Sequence, residues 1–335
     1  MGNPLLSRRG VLRLGAATGL TALAGCSRRG PQLVASRGDL PTTWSASLPA
    51  PWRLRSLDSP SLVVAASKGA DGARTALLQL SDGWAVTVPT DRLQPFAQPS
   101  LFNRLSPMAA PVSRLFQPPA SPLLAFPFSC NPWVLLLRSR ADLVERRKEG
   151  WNLLLDPSLT GRVVLPSSPR VVIALVQGDQ ARLSQLRRQA LAQDDRDALN
   201  LVLARDADAA VLPRSQVIPF LRRDARLQAL LPASGAPLSW NLLLRPASTL
   251  VHAPFDWLEE ALKPPLLARL LAAGVVPPLP RDQLEGSLKG FPDRLTDLLL
   301  PPQAVLDRCV SLEPLAPQER RQRQQLWDAT SPKGE

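Results

Sequence analysis

The sequence predicts an α/β protein in which strands and helices alternate and strands pair in parallel. Short β-branched runs such as "GRVVLP" and "AAVLP" are interspersed with longer stretches such as "ARLSQLRRQALAQ", where apolar residues recur at three and four. Thirty-six prolines in 335 residues divide the chain into many short elements with defined breaks. An apolar content of 45% excludes a disordered chain and, at this length, supplies the cores of two modest domains.

Taken in order, a strand is expected at "QLVAS" and a short helix within "LPTTWSASLPAPW". "SLVVAAS" reads as a strand, "ARTALLQLSDG" as a helix, and "WAVTVP" (Trp84 to Pro89) as a buried strand, a strand–helix–strand unit. Residues 99–120 are loop-rich. "LLAFPFSCNPWVLLLRS" reads as two strands meeting near Pro127 and Pro132, and the helix "ADLVERRKEG" follows. "GRVVLP" is a buried strand, "PRVVIALVQG" a helix, and "ARLSQLRRQALAQ" and "DRDALNLVLARDAD" are amphipathic helices leading to the strand "AAVLP". Past residue 240, "WNLLLRP" is a strand and "PFDWLEEAL" a helix; "PPLLARLLAAG" follows, with proline at its start and Gly274 at its end. The tail alternates short helices with prolines and ends in "PQERRQRQQLWDAT". No internal repeat is visible.

Charge and reactive groups narrow the function. The net charge is +12, but the arginines are scattered among acids, with only short clusters such as "RRQRQQ". No helix-turn-helix, zinc or aromatic RNA-binding signature accompanies them, so nucleic acid is not the expected partner; a basic surface against anionic lipid or cell-wall polymer is. There is one histidine, His252, and no tyrosine. No GxSxG, SxxK, HExxH or GxGxxG occurs, so an enzyme is not expected, nor any cofactor or metal. His252 precedes a helix start, where a structural role outweighs a catalytic one. Asp194-Asp195 and Glu259-Glu260 read as solvated helix faces. The missing tyrosines exclude a ferric-ion carrier built on tyrosinate ligands.

The first residues resemble an export signal. Arg8-Arg9 precede a mild apolar run, Leu14 to Ala24, too short to span a bilayer. Paired arginines before a weakly hydrophobic core resemble twin-arginine leaders. "LAGC" resembles a bacterial lipobox, which makes Cys26 the lipidation site and first residue of the mature chain. Removing residues 1–25 with their three arginines leaves a charge of +9. Cys130 and Cys309 then remain, either as free thiols or as one disulfide.

A wider resemblance rests on three collinear segments. "WNLLLDPSLTGRVVLPSSPRVVIAL", "WAVTVPTDR", and "GAPLSWNLLLRP" with "FDWLEEALKPPLLARLLAAGVVPPLP" are similar to parts of the bacterial spermidine/putrescine-binding proteins of ABC importers. The resemblance covers most of residues 33–330. It implies a two-lobed, type II periplasmic-binding-protein-like fold, with mixed sheets, flanking helices and crossover strands, that closes on a small-molecule ligand. It also implies an ABC permease as partner, a membrane tie through the N-terminal lipid, and a periplasmic location. The division expected is an export signal at 1–25, an anchor and tether at 26–32, and lobe one at 33–126 plus 240–285. Lobe two with the C-terminal helices takes 127–239 plus 286–335. The matching cleft positions are Ser36, Asp39, Thr90, Arg92, Ser168, Arg170, Ser239, Trp240 and Asn241. The family's carboxylates and aromatics are largely replaced there, and losing a charge-assisted bond to a desolvated ammonium costs about 1.5–3 kcal/mol. A solute-binding protein with altered specificity, for a neutral or anionic ligand in place of a polyamine, is therefore expected. The alternative is an envelope lipoprotein of the same fold that has lost transport and serves as a sensor or assembly partner.

Overall fold

The computed structural model describes residues 30–68 and 74–332. The leader, Cys26 and the first residues of the tether lie outside the described residues. Eleven strands are present among those described: β1 (Gln32–Ser36), β2 (Arg53–Leu57), β3 (Thr75–Ser81), β4 (Leu93–Gln94), β5 (Ala125–Arg138), β6 (Val163–Leu165), β7 (Ala190–Gln193), β8 (Ala209–Pro213), β9 (Leu227–Leu230), β10 (Pro237–Pro246) and β11 (Val310–Ser311). Their order is β2-β1-β3-β10-β5-β8-β6-β7, with β4 and β11 on β10 and β9 on β5.

The sheet is mixed. β1 runs parallel to β2 and β3, and β6 parallel to β7 and β8. β10 is antiparallel to β3 and β5, and β5 is antiparallel to β8 and β9. Two parallel sets, each flanked by helices, are thus joined through β5. Its residues 125–132 pair with β10 and its residues 133–138 with β8 and β9. All 14 residues of β5 are buried, as a strand common to both halves requires.

Three apolar cores hold the halves together. One contains Leu77, Phe126, Trp44 and Trp257; a second contains Trp133, Leu135, Val163 and Leu183; a third contains Leu78, Leu80, Cys130 and Trp240. Trp44 and Trp257 stack with ring centroids 4.3 Å apart. Each indole N–H donates to the other residue's backbone carbonyl, at 3.3 and 3.1 Å. This satisfies both polar handles that burial would otherwise strand. Gly274 ends the helix Leu266–Ala272 as expected, with φ +82° and a Cβ position only 2.6 Å from the Ser215 carbonyl oxygen.

Four sequence readings are corrected. "SLVVAAS" is mostly helix (Pro60–Ala66), because Pro60 sits at its first position and Ser59 Oγ accepts the Leu62 N–H at 3.4 Å. "ARTALLQLSDG" supplies β3 instead of a helix; its leucines alternate between two cores, Leu77 in one and Leu78 and Leu80 in the other. "WAVTVP" is not a strand. Asp82–Ala85 forms a single helical turn that reverses the chain directly after β3. The expected pair of strands at 123–139 is one strand, with Pro127 placed at a register shift where its missing N–H breaks no regular ladder.

Candidate ligand-binding site

Parallel strands present their carboxyl ends, and the loops that follow them, to a common mouth. β3 ends at Ser81, and the next residue, Asp82, is only 7% exposed. Along the edge of β10, β3 pairs with residues 241–244 and β11 with residues 237–238. Asp82 fills the gap between them: its Oδ1 accepts the Trp240 N–H at 3.2 Å, standing in for a strand carbonyl. Burial pushes its carboxyl up to about 6, opposed by hydrogen bonds from the backbone N–H groups of Trp240 and Gly83 and by the charge of Arg170.

Arg170 comes from the other half. It follows Pro169 at the start of the helix Pro169–Leu175, just beyond the end of β6. One Nη donates to the Glu313 carbonyl, while the Nε is buried without a partner. Burial lowers its pKa, and Arg323 and Arg320 lower it further, against the opposing fields of Asp82 and Glu319. Arg170, Ile173 and Ala174 of this helix, with Gln177 just past its end, line a cavity of about 660 Å³. The opposite walls are the segment 234–237 entering β10, residues 308–315 around β11, and Glu319, Arg323 and Leu326 of the helix Pro317–Ala329. Three arginines, 170, 308 and 323, face two glutamates, 313 and 319, so the lining is net positive. Trp151 also lines it and donates its indole N–H to the Gly235 carbonyl at 3.0 Å. Gly235 has φ +83°, and a Cβ there would lie 2.2 Å from the Arg308 carbonyl oxygen.

The expected site residues do not all converge. Arg170 lines this cavity, with Ser168 two residues earlier as the N-cap of its helix. Ser36 and Asp39 lie at the carboxyl end of β1, the same end of the parallel set as Asp82. Asp39 is exposed, yet the protein around it raises its carboxyl, with the Ser36 hydroxyl acting the other way. Trp240 is fully buried in the third core and donates its indole N–H to Ser311 Oγ at 2.9 Å; it is a wall, without a free face. Ser239 and Asn241 point to the opposite face of β10, opposite Asn131 and Ser129 on β5, as strand alternation requires. Thr90 and Arg92 are exposed in the turn before β4, which pairs with β10 at Arg245 and Pro246. They belong to the far end of β10 from Ser239, about 20 Å away at 3.3 Å per residue. His252 is exposed in a loop. Cys130 and Cys309 are free thiols, with β10 lying between β5 and β11. Two strand spacings, about 10 Å, exceed the Cα separation a disulfide spans.

Sequence reasoning missed Asp82, Ser311, Trp151 and Arg323. Asp82 carried a signal, since "LSDG" directly follows an apolar run. The other three are placed only by tertiary structure.

A scan against family models and a search of curated proteins each found no match. Solved structures do match. The spermidine/putrescine ABC transporter substrate-binding protein PotD of Streptococcus pneumoniae superposes with a TM-score of 0.71 at 11% identity, covering 90% of this chain and 98% of that one. The chain has the fold of the two-lobed ABC-transporter substrate-binding proteins. The TpPotD lipoprotein of Treponema pallidum shares this binding-protein fold at a TM-score of 0.68 and 14% identity, covering 90% and 99% of the two chains. Iron-bound HitA of Pseudomonas aeruginosa shares it at 0.60 and 12% identity, over the same shares. The same fold thus occurs in a spermidine/putrescine ABC transporter substrate-binding protein and in an iron-bound protein, so the ligand must be argued from the site.

Proposed function

We propose that this chain is an extracytoplasmic solute-binding protein that captures a small anionic or neutral polar solute and delivers it to an ABC permease. The carrying observation is the cavity at Arg170, which lies between the helix after β6, the segment entering β10, β11 and the helix Pro317–Ala329. Arg170 follows β6 of one parallel set, whereas the opposite wall includes residues 236 and 237 entering β10, so a solute held there would draw the two sides together, the hinge closure typical of such folds. An unpartnered Arg170 Nε beside Arg323 suits an anionic group and repels a polycation.

The division that supports this reading puts residues 33–126 plus 240–285 in lobe one and 127–239 plus 286–335 in lobe two. Export through a twin-arginine leader and acylation of Cys26 would hold the protein at the membrane beside its permease.

The test is a thermal-shift screen of the full chain against putrescine, spermidine and a panel of neutral and anionic metabolites. A ligand at 100 times its Kd stabilises the fold by about 2.7 kcal/mol. The expected result is a shift with an anionic or neutral compound that disappears in Arg170→Ala. A shift with spermidine that survives Arg170→Ala would overturn the proposed specificity.

A further inference from the structure

A second cavity, of about 300 Å³, lies between Ser106–Met108, the proline-rich residues 276–280 and the segment 299–307. Arg214, the first residue of the helix Arg214–Leu221, lines it and is 2% exposed. Its Nη2 donates to the Cys130 carbonyl at 2.6 Å, and its Nη1 to the carbonyls of Leu298 and Leu299 at 3.0 and 3.1 Å. The Nε is buried without a partner, and no carboxylate pairs with the guanidinium among the described residues. Ser106 Oγ, on the same cavity, is a second buried polar atom without a partner. The two other charged groups there, Arg281 and Asp307, are exposed and already engaged, with Glu285 and Gln303. Most of the remaining lining is apolar, from prolines, Val276, Leu284 and Leu306. A buried cation held only by carbonyls is an unusual arrangement, because such charges are ordinarily paired. Burial lowers the Arg214 pKa to about 10, which still leaves it charged at neutral pH.

We infer that this cavity is a second binding site, separate from that at Arg170, for a small carboxylate with an apolar body. The carboxylate accepts from the Arg214 guanidinium and the Ser106 hydroxyl, and the apolar body packs against the proline and leucine walls. The volume suits a molecule of about ten heavy atoms, at the small end of ligand pockets. Arg214 directly follows β8, whereas Cys130 and its neighbours pair with β10, so an occupant bridges the two halves of the sheet. It would act on the hinge without entering the cleft.

The probes are benzoate, its neutral counterpart benzyl alcohol, and 4-bromobenzoate soaked into crystals of the full chain. The carboxylate is expected at Arg214 and Ser106, with the bromine at the apolar wall formed by the prolines, Val276, Leu284 and Leu306. In solution, benzoate is expected to bind saturably and at least tenfold more tightly than benzyl alcohol. Leu306→Trp fills the cavity without removing the guanidinium and should weaken benzoate at least tenfold; Arg214→Met should do the same if it folds. A bromine peak at Arg170 alone, or none, overturns the inference. So does benzyl alcohol binding as tightly as benzoate, or a benzoate affinity unchanged in Leu306→Trp.

Discussion

Asp82 is a carboxylate doing the work of a strand carbonyl, and its titration has a consequence for stability. Its pKa rises from 3.8 to about 6 on folding, chiefly through burial. Near pH 5 the folded state therefore holds a proton that the unfolded state has released. Stability from this group is fully present below about pH 4 and is lost as pH rises through 6, on the order of 3 kcal/mol in all. Asp156 and Asp224 act in the opposite sense at lower pH, held down to about 2 chiefly by the Ser158 hydroxyl and by Arg226 respectively. The difference between wild type and Asp82→Asn isolates the Asp82 contribution. Denaturant midpoints across pH 4 to 7 are expected to fall with rising pH in wild type relative to Asp82→Asn, which retains an acceptor for the Trp240 N–H. Parallel profiles would show that Asp82 is not desolvated as described. At this scale the sequence was partly legible. Arg170 could be found because Pro169 marks a helix start beside a strand end. Asp82 carried a weaker signal in "LSDG", masked because the same leucines that serve two cores as a strand also suit a helical period.

Among the elements, the segment that enters β10 is the most constrained. Gly235 combines a left-handed backbone with a carbonyl oxygen of Arg308 inside the space a Cβ needs. Gly235→Ala must displace either β11 or the entry to β10, and we expect a loss of at least 2 kcal/mol (~2–4) by urea denaturation. Gly38→Ala is the control: φ +87° but nothing within 4 Å, so only the conformational cost of about 1 kcal/mol applies. The helix Pro317–Ala329 is a contrasting case, with no buried residue of its own. It is held by Trp327, whose ring lies 3.8 Å from the Arg187 guanidinium and whose carbonyl accepts from it. Truncation after Leu315 is expected to lower stability by no more than about 2 kcal/mol. It should weaken ligand binding at least tenfold, because it removes the wall bearing Glu319, Arg323 and Leu326. Calorimetry on the truncated chain separates the two effects. Helix signals in the sequence were reliable where a cap spoke for itself, as at Pro169, Gly274 and Pro317. They failed from 59 to 89, where burial on both faces of β3 overrode local preference.

For the whole molecule, the α/β class was legible from alternating strand and helix periods and the two-lobed architecture only from the resemblance of the collinear segments, but the continuity of β5 was not. Two prolines in a run argue for two strands unless a register shift absorbs one of them, and only the pairing with β10 reveals that it does. The topology predicts how the chain divides. A fragment ending at Ala233 contains β1, β2, β3 and β5 but lacks β10, which pairs with both β3 and β5. It is expected to unfold without a cooperative transition in urea, whereas the full chain unfolds sharply. A sharp transition in the fragment would mean that the first parallel set is stable alone.

The late position of β10 also has a meaning in time. A ribosome adds about 5–20 residues per second, so β3 and β5 leave it well before Pro237–Pro246 exists. Through that interval two apolar strands stand with bare edges, open to any other strand that drifts near. The nascent chain depends on whatever covers those edges, a chaperone or an unfolded tether to the ribosome, until one late ten-residue segment arrives and closes both halves together.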